Sequence, residues 1–305
     1  MGRTRKRKGR QIDGVFLLDK PIGMSSNHAL QKIKRTFNAN KAGHTGSLDV
    51  PASGLLPICL GEATKFSSFL LNANKVYIVE ARLGKTTNTG DAAGEVLLER
   101  DVDEITDKKL ETICAMFIGE IEQVPPMFSA LKHNGIRLHE LAYQGIEVER
   151  PARRITIFGI TLLGLDQTSF QIRVQCSKGT YIRTLIQDIG EKLGCGAHVL
   201  NLRRLQSGPF TEQQMMTFEE LEKIAEKGYS ELDELLFSVD SPLSDLPSIQ
   251  LNQKQSTAIC YGQKVLVEMG SDTEQIRVYD AANRFLGIGK LNNDGELSAK
   301  RLINI

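Results

Sequence analysis

The segment Ala42-Gly-His-Thr-Gly-Ser-Leu-Asp-Val-Pro-Ala-Ser-Gly54 sets one carboxylate, Asp49, in a loop flanked by Gly43, Gly46 and Gly54. Glycines allow tight turns and close approach of a ligand to the backbone. A single acid in such a loop is a candidate nucleophile. The competing role is a turn-former, because an Asp side chain readily bonds its own backbone. His44, in the same loop, is compatible with a structural as well as a functional place. A glycosidase would flank the scissile bond with two carboxylates, and this loop offers one. Gly43-x-x-Gly46 also has, weakly, the spacing of the backbone-clamping loop of KH RNA-binding modules. Farther along, Arg183 falls in the first turn of a predicted helix, where a cation opposes the helix dipole by about 0.3–1 kcal/mol. A residue placed against that preference points to a tertiary partner.

Other chemistries fail on spacing. Leu83-Gly-Lys-Thr86 ends like a P-loop, but the glycine required five positions before Gly84 is Val79. Gly287-Ile-Gly289 lacks the third glycine of a dinucleotide fingerprint, His139-Glu140 lacks the second His of H-E-x-x-H, and G-x-S-x-G is absent. The five cysteines (59, 114, 176, 195 and 260) form no C-x-x-C pair, which supports neither a disulfide framework nor a zinc site. Buried free thiols are the expectation for a reducing compartment.

The elements that must position Asp49 read as follows. Gly14-Val-Phe-Leu-Leu18 is a short buried strand, and Ser25 or Ser26 caps a helix with Leu30, Ile33 and Phe37 on one face. Residues 38–54 form a long glycine-rich loop. A strand over 75–83 precedes a polar loop, 86–94, rich in Thr, Gly and Asp. Ile105, Leu110, Ile113 and Phe117 mark a helix, and residues 123–152 form an irregular basic excursion. Alternating strands follow near 155–165 and 169–176. Over 180–193, Ile182, Leu185, Ile186, Ile189 and Leu193 share one helical face, with Thr180 as its cap. Beyond a linker near Pro242 and Pro247, short strands at 264–268, 275–280, 285–290 and 296–303 predict a small all-β domain.

The chain has 305 residues, 38 Lys+Arg against 37 Asp+Glu, and a net charge of +1. That length predicts two domains, and no apolar run is long enough for a transmembrane helix. The basic N-terminus carries no apolar segment behind it, so a soluble cytoplasmic protein is expected. Six cations (Arg3, Arg5, Lys6, Arg7, Lys8 and Arg10) crowd the first ten residues; without them 32 basic residues face 37 acidic ones, a net of −5. Such an arm either holds phosphates or stays solvated. Residues 173–204 are also basic. Residues 212–245 hold ten acids against Lys223 and Lys227, which turns that segment away from any nucleic acid.

The Asp49 loop resembles the signature G-H-x-G-x-L-D-P-x-A-[ST]-G of the TruB family, the bacterial tRNA pseudouridine-55 synthases. Gly14–Ser26 (GVFLLDKPIGMSS), Leu60–Lys65 (LGEATK), Ser129-Ala-Leu-Lys132, Cys176–Thr184 (CSKGTYIRT), Leu193–His198 (LGCGAH) and Leu202-Arg-Arg-Leu205 resemble the same family in order and spacing. The resemblance implies an α/β (α+β) fold with a mixed, mainly antiparallel sheet and a small C-terminal all-β PUA-like domain. It implies a basic arm at 1–10, a catalytic domain at 11–245 with an RNA-binding excursion at 123–154, and an RNA-binding domain at 246–305. It implies conversion of uridine to pseudouridine in the T-loop of tRNA, with no cofactor and no metal. Asp49 matches the nucleophile and Arg183 its partner. Tyr77 matches the tyrosine that stacks on a flipped-out base, and His44 the residue beside the flipped nucleotide. Tyr181 and Leu202 match the remaining pocket walls, and Lys20 a lysine near the site. The implied partner is the tRNA T-stem-loop, with no membrane, no obligate protein partner and a monomeric state. Two departures stand out: Val50-Pro51-Ala52 replaces the usual Pro-Leu-Ala, and His139 and Tyr143 stand where Tyr and Arg are frequent. A non-catalytic RNA-binding or tRNA-folding protein, and an enzyme acting on another RNA hairpin, are the alternative readings.

Overall fold

The computed structural model describes residues 9–268 and 272–304. The chain begins with β1 (Gly14–Lys20), α1 (Ser26–Thr36), β2 (Ala42–His44), β3 (Ala52–Leu60), α2 (Ser67–Asn72) and β4 (Lys75–Leu83). A hairpin of β5 (Lys85–Thr87) and β6 (Val96–Glu99) leads to α3 (Asp107–Ala115) and β7 (Gly119–Gln123). A second hairpin, β8 (Lys132–His133) and β9 (Ile136–Arg137), precedes α4 (Leu138–Tyr143). Then come β10 (Arg153–Leu165), β11 (Ser169–Cys176), α5 (Ile182–Leu193), β12 (Ala197–Ser207) and β13 (Phe210–Thr211). Two short helices, α6 (Phe218–Ala225) and α7 (Tyr229–Asp233), close this part. The C-terminal part holds β14 (Ser248–Gln250), α8 (Gln253–Cys260), β15 (Val265–Leu266), β16 (Thr273–Tyr279), β17 (Phe285–Leu291) and β18 (Glu296–Leu302).

The large sheet runs β1-β3-β12-β4-β11-β10-β7, with β2 added on β3 and β13 on β12. Its pairs are antiparallel except β12 with β3, which run parallel. That parallel junction matters, because it lays the end of the Asp49 loop alongside Leu202, Arg203 and Arg204. Strand β11 alternates strictly, with Phe170, Ile172, Val174 and Cys176 inward and Gln171, Arg173 and Gln175 outward. A period of two with one wet face is the signature of an antiparallel sheet packed on the core on one side and open to water on the other. Toward β1 and β3 both faces are covered. Phe16, Leu18, Leu56 and Ile58 join the main core with α1 and α5, while Val15, Leu17, Leu55 and Cys59 pack with Phe210 and Leu70 on the other side.

Helix α5 buries Leu185, Ile186 and Ile189 completely, as the spacing predicts. Its ends differ from expectation. Tyr181 is the N-cap residue, and its side chain makes no capping bond to the helix. Thr180, the predicted cap, donates its hydroxyl to the Ser177 carbonyl instead. The buried amide of Gln123 takes over from across the chain: Tyr181 N donates to Gln123 Oε1 at 2.8 Å, and Gln123 Nε2 donates to the Tyr181 carbonyl at 3.1 Å. Helix α1 is capped by Ser25, which accepts from His28 N. The stretch predicted as one loop over 38–54 contains the short strand β2 and the start of β3, because Ala42–His44 pairs with Ile58–Leu60.

The C-terminal sheet runs β14-β16-β17-β18-β15 around Leu251, Ile276, Val278, Leu291 and Leu297. It also holds α8, absent from the predicted elements, with Ile259 buried beneath it and Asn252 capping it. This part docks on the large sheet's periphery through Phe66, Leu243 and Ile288. Lys65 Nζ donates to the Leu302 carbonyl and Arg301 Nη1 to the Lys65 carbonyl. Of the six cations in the predicted arm, five fall outside the described residues. Arg10 lies inside them and is held by both Asp233 oxygens, with its guanidinium 4.2 Å from the Tyr229 ring centroid. Four cysteines are buried and free, and Cys260 departs from the expected burial by being exposed.

Candidate active site

The loop that carries Asp49 is pinned on every side. Ser26 Oγ accepts from Leu48 N at 2.8 Å and donates to the Leu48 carbonyl at 3.0 Å, immediately before the carboxylate. Gly23 N donates to the Val50 carbonyl, and Ala52 N closes a turn on the Asp49 carbonyl at 3.1 Å. The Val50-Pro51 departure is absorbed in that turn, with the Val50 side chain exposed. Gly54 has φ +98°, and a Cβ there would lie 2.3 Å from the Arg204 carbonyl, so β3 and β12 can meet only around a glycine.

Asp49 Oδ2 lies 2.9 Å from Arg183 Nε. The Arg183 side chain is 7% exposed and the Asp49 side chain 45%, so a fixed cation stands behind an accessible carboxylate. Arg183 is fixed because its other donors are spoken for: Nη1 bonds the Thr89 carbonyl and Nη2 the Phe128 carbonyl, each at 2.8 Å. A second carboxylate, Asp91, comes within 3.8 Å of Nη1. Asp91 is itself locked by Thr89 Oγ1 at 2.6 Å and Ala93 N at 3.1 Å. The predicted tertiary partner of Arg183 therefore exists, and it is Asp49.

Desolvation in the cleft pushes the Asp49 carboxyl above its ordinary value, and the Arg183 guanidinium pulls it back down. Asp91 adds to the upward push and Lys20 to the downward pull. Lys20 is wholly buried at the end of β1, where its ammonium donates to the Pro21 and Met24 carbonyls at 2.9 and 2.7 Å. Burial pushes its pKa down to about 8, against the raising effect of Asp49, while Arg204 lowers it further.

Asp49, Tyr77, Tyr181, Arg183 and Leu202 line one recess of about 110 Å³, together with Ser47, Leu48, Thr180 and Ile182. That is smaller than the ~300–1,000 Å³ of ordinary small-molecule sites and suits one planar group rather than a whole nucleotide. Tyr77 projects from β4 and is almost fully buried; burial raises its phenol, and the neighbouring Arg204 lowers it. Leu202, from β12, forms a wall of this recess and of a small void behind the Asp49–Arg183 pair. His44 lies outside the recess lining, half-buried on β2 opposite Ile58, and its Nδ1 has no hydrogen-bond partner among the described residues. Burial and Arg204 hold its imidazole below the ordinary value.

Residues that sequence reasoning missed are Ser26 as a loop pin, Gln123, Asp91 and Arg204. Asp91 lay in a loop noted only for its polar composition. Arg203 and Arg204 carried a usable signal, since adjacent strand residues point to opposite faces. Arg203 pairs with Asp19 through two bonds of 2.9 and 2.7 Å, whereas Arg204 is buried. In the excursion, His139 Nδ1 meets the Ser129 carbonyl at 2.9 Å, and Tyr143 packs edge-on against Phe128.

Comparison with known proteins follows the same lines. Residues 34–182 match the N-terminal domain model of the TruB family pseudouridylate synthases. Residues 183–244 match the tRNA pseudouridylate synthase B C-terminal domain, and 247–303 the C-terminal domain of pseudouridine synthase II TruB. The chain is 49% identical to the tRNA pseudouridine synthase B of Actinobacillus succinogenes over 306 residues, covering 100% of this chain and 98% of that one. It is 50% identical to the protein of that name from Coxiella burnetii over 295 residues, 96% of each chain. A chain of a crystallised Cbf5–Nop10–Gar1 complex superposes with a TM-score of 0.73 at 25% identity, covering 95% of this chain and 84% of that one. The mixed sheet and the PUA-like C-terminal domain expected from the sequence are both present. This chain belongs to the TruB family of pseudouridylate synthases and is an isomerase of that class.

Proposed function

We propose that the protein converts uridine to pseudouridine in tRNA, at position 55 of the T-loop, with Asp49 as nucleophile. The observation that carries this reading is the 2.9 Å Asp49–Arg183 pair at the edge of a recess walled by Tyr77, Tyr181 and Leu202. The N1–C1′ bond of the uridine breaks, the uracil turns, and a C5–C1′ bond forms; the C5 proton leaves to solvent and N1 gains one. Nothing else is added or removed, so one carboxylate is enough and no cofactor enters. Asp49 attacks as the carboxylate, which Arg183 favours and orients.

A uracil inside a folded loop must leave its stack to reach this recess, at a cost of a few kcal/mol. Stacking on Tyr77, at about 1–3 kcal/mol per base, offsets that cost. Tyr181 and Leu202 complete the walls, His44 fills the space near the flipped nucleotide, and Lys20 supports the carboxylate electrostatically. The excursion at 123–154 and the domain at 246–305 grip the RNA. The enzyme works in the cytoplasm as a monomer. The names of the curated relatives support tRNA as the substrate.

Mapping pseudouridine by carbodiimide adducts and primer extension tests the position. A single stop at the T-loop uridine is expected in whole tRNA, and also in an isolated T-stem-loop. Modification of ribosomal or small-RNA hairpins instead, with the T-loop untouched, would contradict the assignment.

A further inference from the structure

Arg204 is the largest fully buried side chain among the described residues, only 1% exposed. Its strand neighbour Arg203 has a carboxylate; among the described residues Arg204 has none and bonds main-chain carbonyls instead. Nε donates to the Leu55 carbonyl at 2.7 Å and Nη2 to the Gly46 carbonyl at 3.1 Å. Those two carbonyls bracket the loop that carries Asp49. On the central strand β12, Arg204 is also the register partner of Gly54 on one side and Tyr77 on the other. One side chain therefore touches both ends of the Asp49 loop and sits beside the strand position of Tyr77.

Burying a cation without a counter-ion is expensive, and an apolar residue of similar volume would fill the space at lower cost. What the apolar residue could not do is hold two carbonyls at a fixed separation. We propose that Arg204 is a positioning residue for the isomerisation: its guanidinium clamps the loop from Gly46 to Leu55, and so holds Asp49 in register with Tyr77. The inference rests on the reading that Asp49 and Tyr77 flank the reacting uracil. The same cation lowers the Tyr77 phenol, the His44 imidazole and the Lys20 ammonium, so its field reaches the whole floor of the site. Misplacing a reacting group by an ångström costs about 10²-fold in rate.

The test uses the full-length protein and tRNA carrying 5-tritiated uridine, with enzyme in excess and saturating. Arg204→Met removes charge and donors, Arg204→Gln keeps donors without charge, and Arg204→Lys keeps charge with a single donor atom. For Met and Gln, the single-turnover rate constant is expected to fall by about 10²-fold, while the tRNA dissociation constant stays within about threefold of wild type. Lys is expected to recover at least about tenfold of the loss. A folded Met or Gln variant reacting within about threefold of wild type overturns the proposal. So does a loss of binding that matches the loss of rate, and so does failure of all three variants to fold, which would make Arg204 purely a fold residue. Wild type and Asp49→Asn run alongside: a silent wild type rejects the functional reading itself, whatever the Arg204 variants do.

Discussion

At the scale of single residues, the site works by giving one carboxylate an environment that opposes itself. The cleft desolvates Asp49 and raises its pKa, while Arg183 opposes that rise. On the proposal that Asp49 attacks as the carboxylate, the single-turnover rate should fall on acidification through a pKa above the ordinary carboxylate value. In Arg183→Met that acid limb should move to still higher pH, because the guanidinium no longer stabilises the charge; a limb that stays put would show Arg183 acting elsewhere. The stability sign is the reverse of the usual aspartate case. A raised folded-state pKa contributes stability below the unfolded value and loses it as pH rises through the folded value. Asp49→Asn should therefore raise the thermal midpoint at neutral pH and lose that advantage in acid, which calorimetry at two pH values would show. A lone acid among glycines left Asp49 open between nucleophile and turn-former, and the TruB-like motif around it is what singled it out. Asp91 and Arg204 were not legible in the sequence, because their significance lies in what a distant segment brings to them. Only the fold sets Asp91 beside Arg183 and Arg204 beside the carbonyls of Gly46 and Leu55.

At the scale of elements, the site is a meeting of strand ends held by a few non-repeating bonds. Ser26 pins Leu48, Gln123 clamps the Tyr181 backbone, and Gly54 lets β3 approach β12. Replacing Gly54 with Ala should cost more than the ~1–3 kcal/mol of a strained backbone, since φ is positive and Arg204 backbone lies in the way. Chemical denaturation measures that loss directly. Gln123→Leu leaves the Tyr181 amide without its partner at the start of α5, at about 1–3 kcal/mol for a buried group left unpaired, while the Tyr181 carbonyl keeps the bond from Leu185 N. If its stability stayed at the wild-type level, the clamp would be redundant. Helix faces and strand alternation were readable in the sequence, as α5 and β11 show, because burial imposes their periods locally. Caps were less so: Thr180 has the right chemistry for an N-cap, yet Gln123, nearly sixty residues earlier in the chain, does that work. The helix α8 went unread because its short run of polar residues carries little amphipathic signal.

At the scale of the whole molecule, a net charge of only +1 conceals separated regions of opposite sign. Acidic residues of α6 and α7 engage Arg10 and Lys32, while the excursion exposes Lys132, Arg137, Arg153 and Arg154. The tRNA affinity should then fall steeply with salt despite the near-neutral total, with log K against log[salt] falling by about 0.7–0.9 per phosphate contacted. A flat salt response would remove the electrostatic grip from the account. The residues lining the recess all precede the C-terminal part, which docks through a small apolar patch at Phe66, Leu243 and Ile288. Deleting residues 246–305 should accordingly weaken tRNA binding more than it slows the reaction of bound tRNA. A large drop in single-turnover rate at saturating enzyme would contradict that division.

The central claim is that Asp49 is the nucleophile, and release of tritium from tRNA bearing 5-tritiated uridine tests it most directly. Wild type should release tritium, and Asp49→Asn should release none while binding the same tRNA with similar affinity. Release by Asp49→Asn at a rate near that of wild type would contradict the account, since C5 chemistry would then proceed without the carboxylate on which the whole site converges.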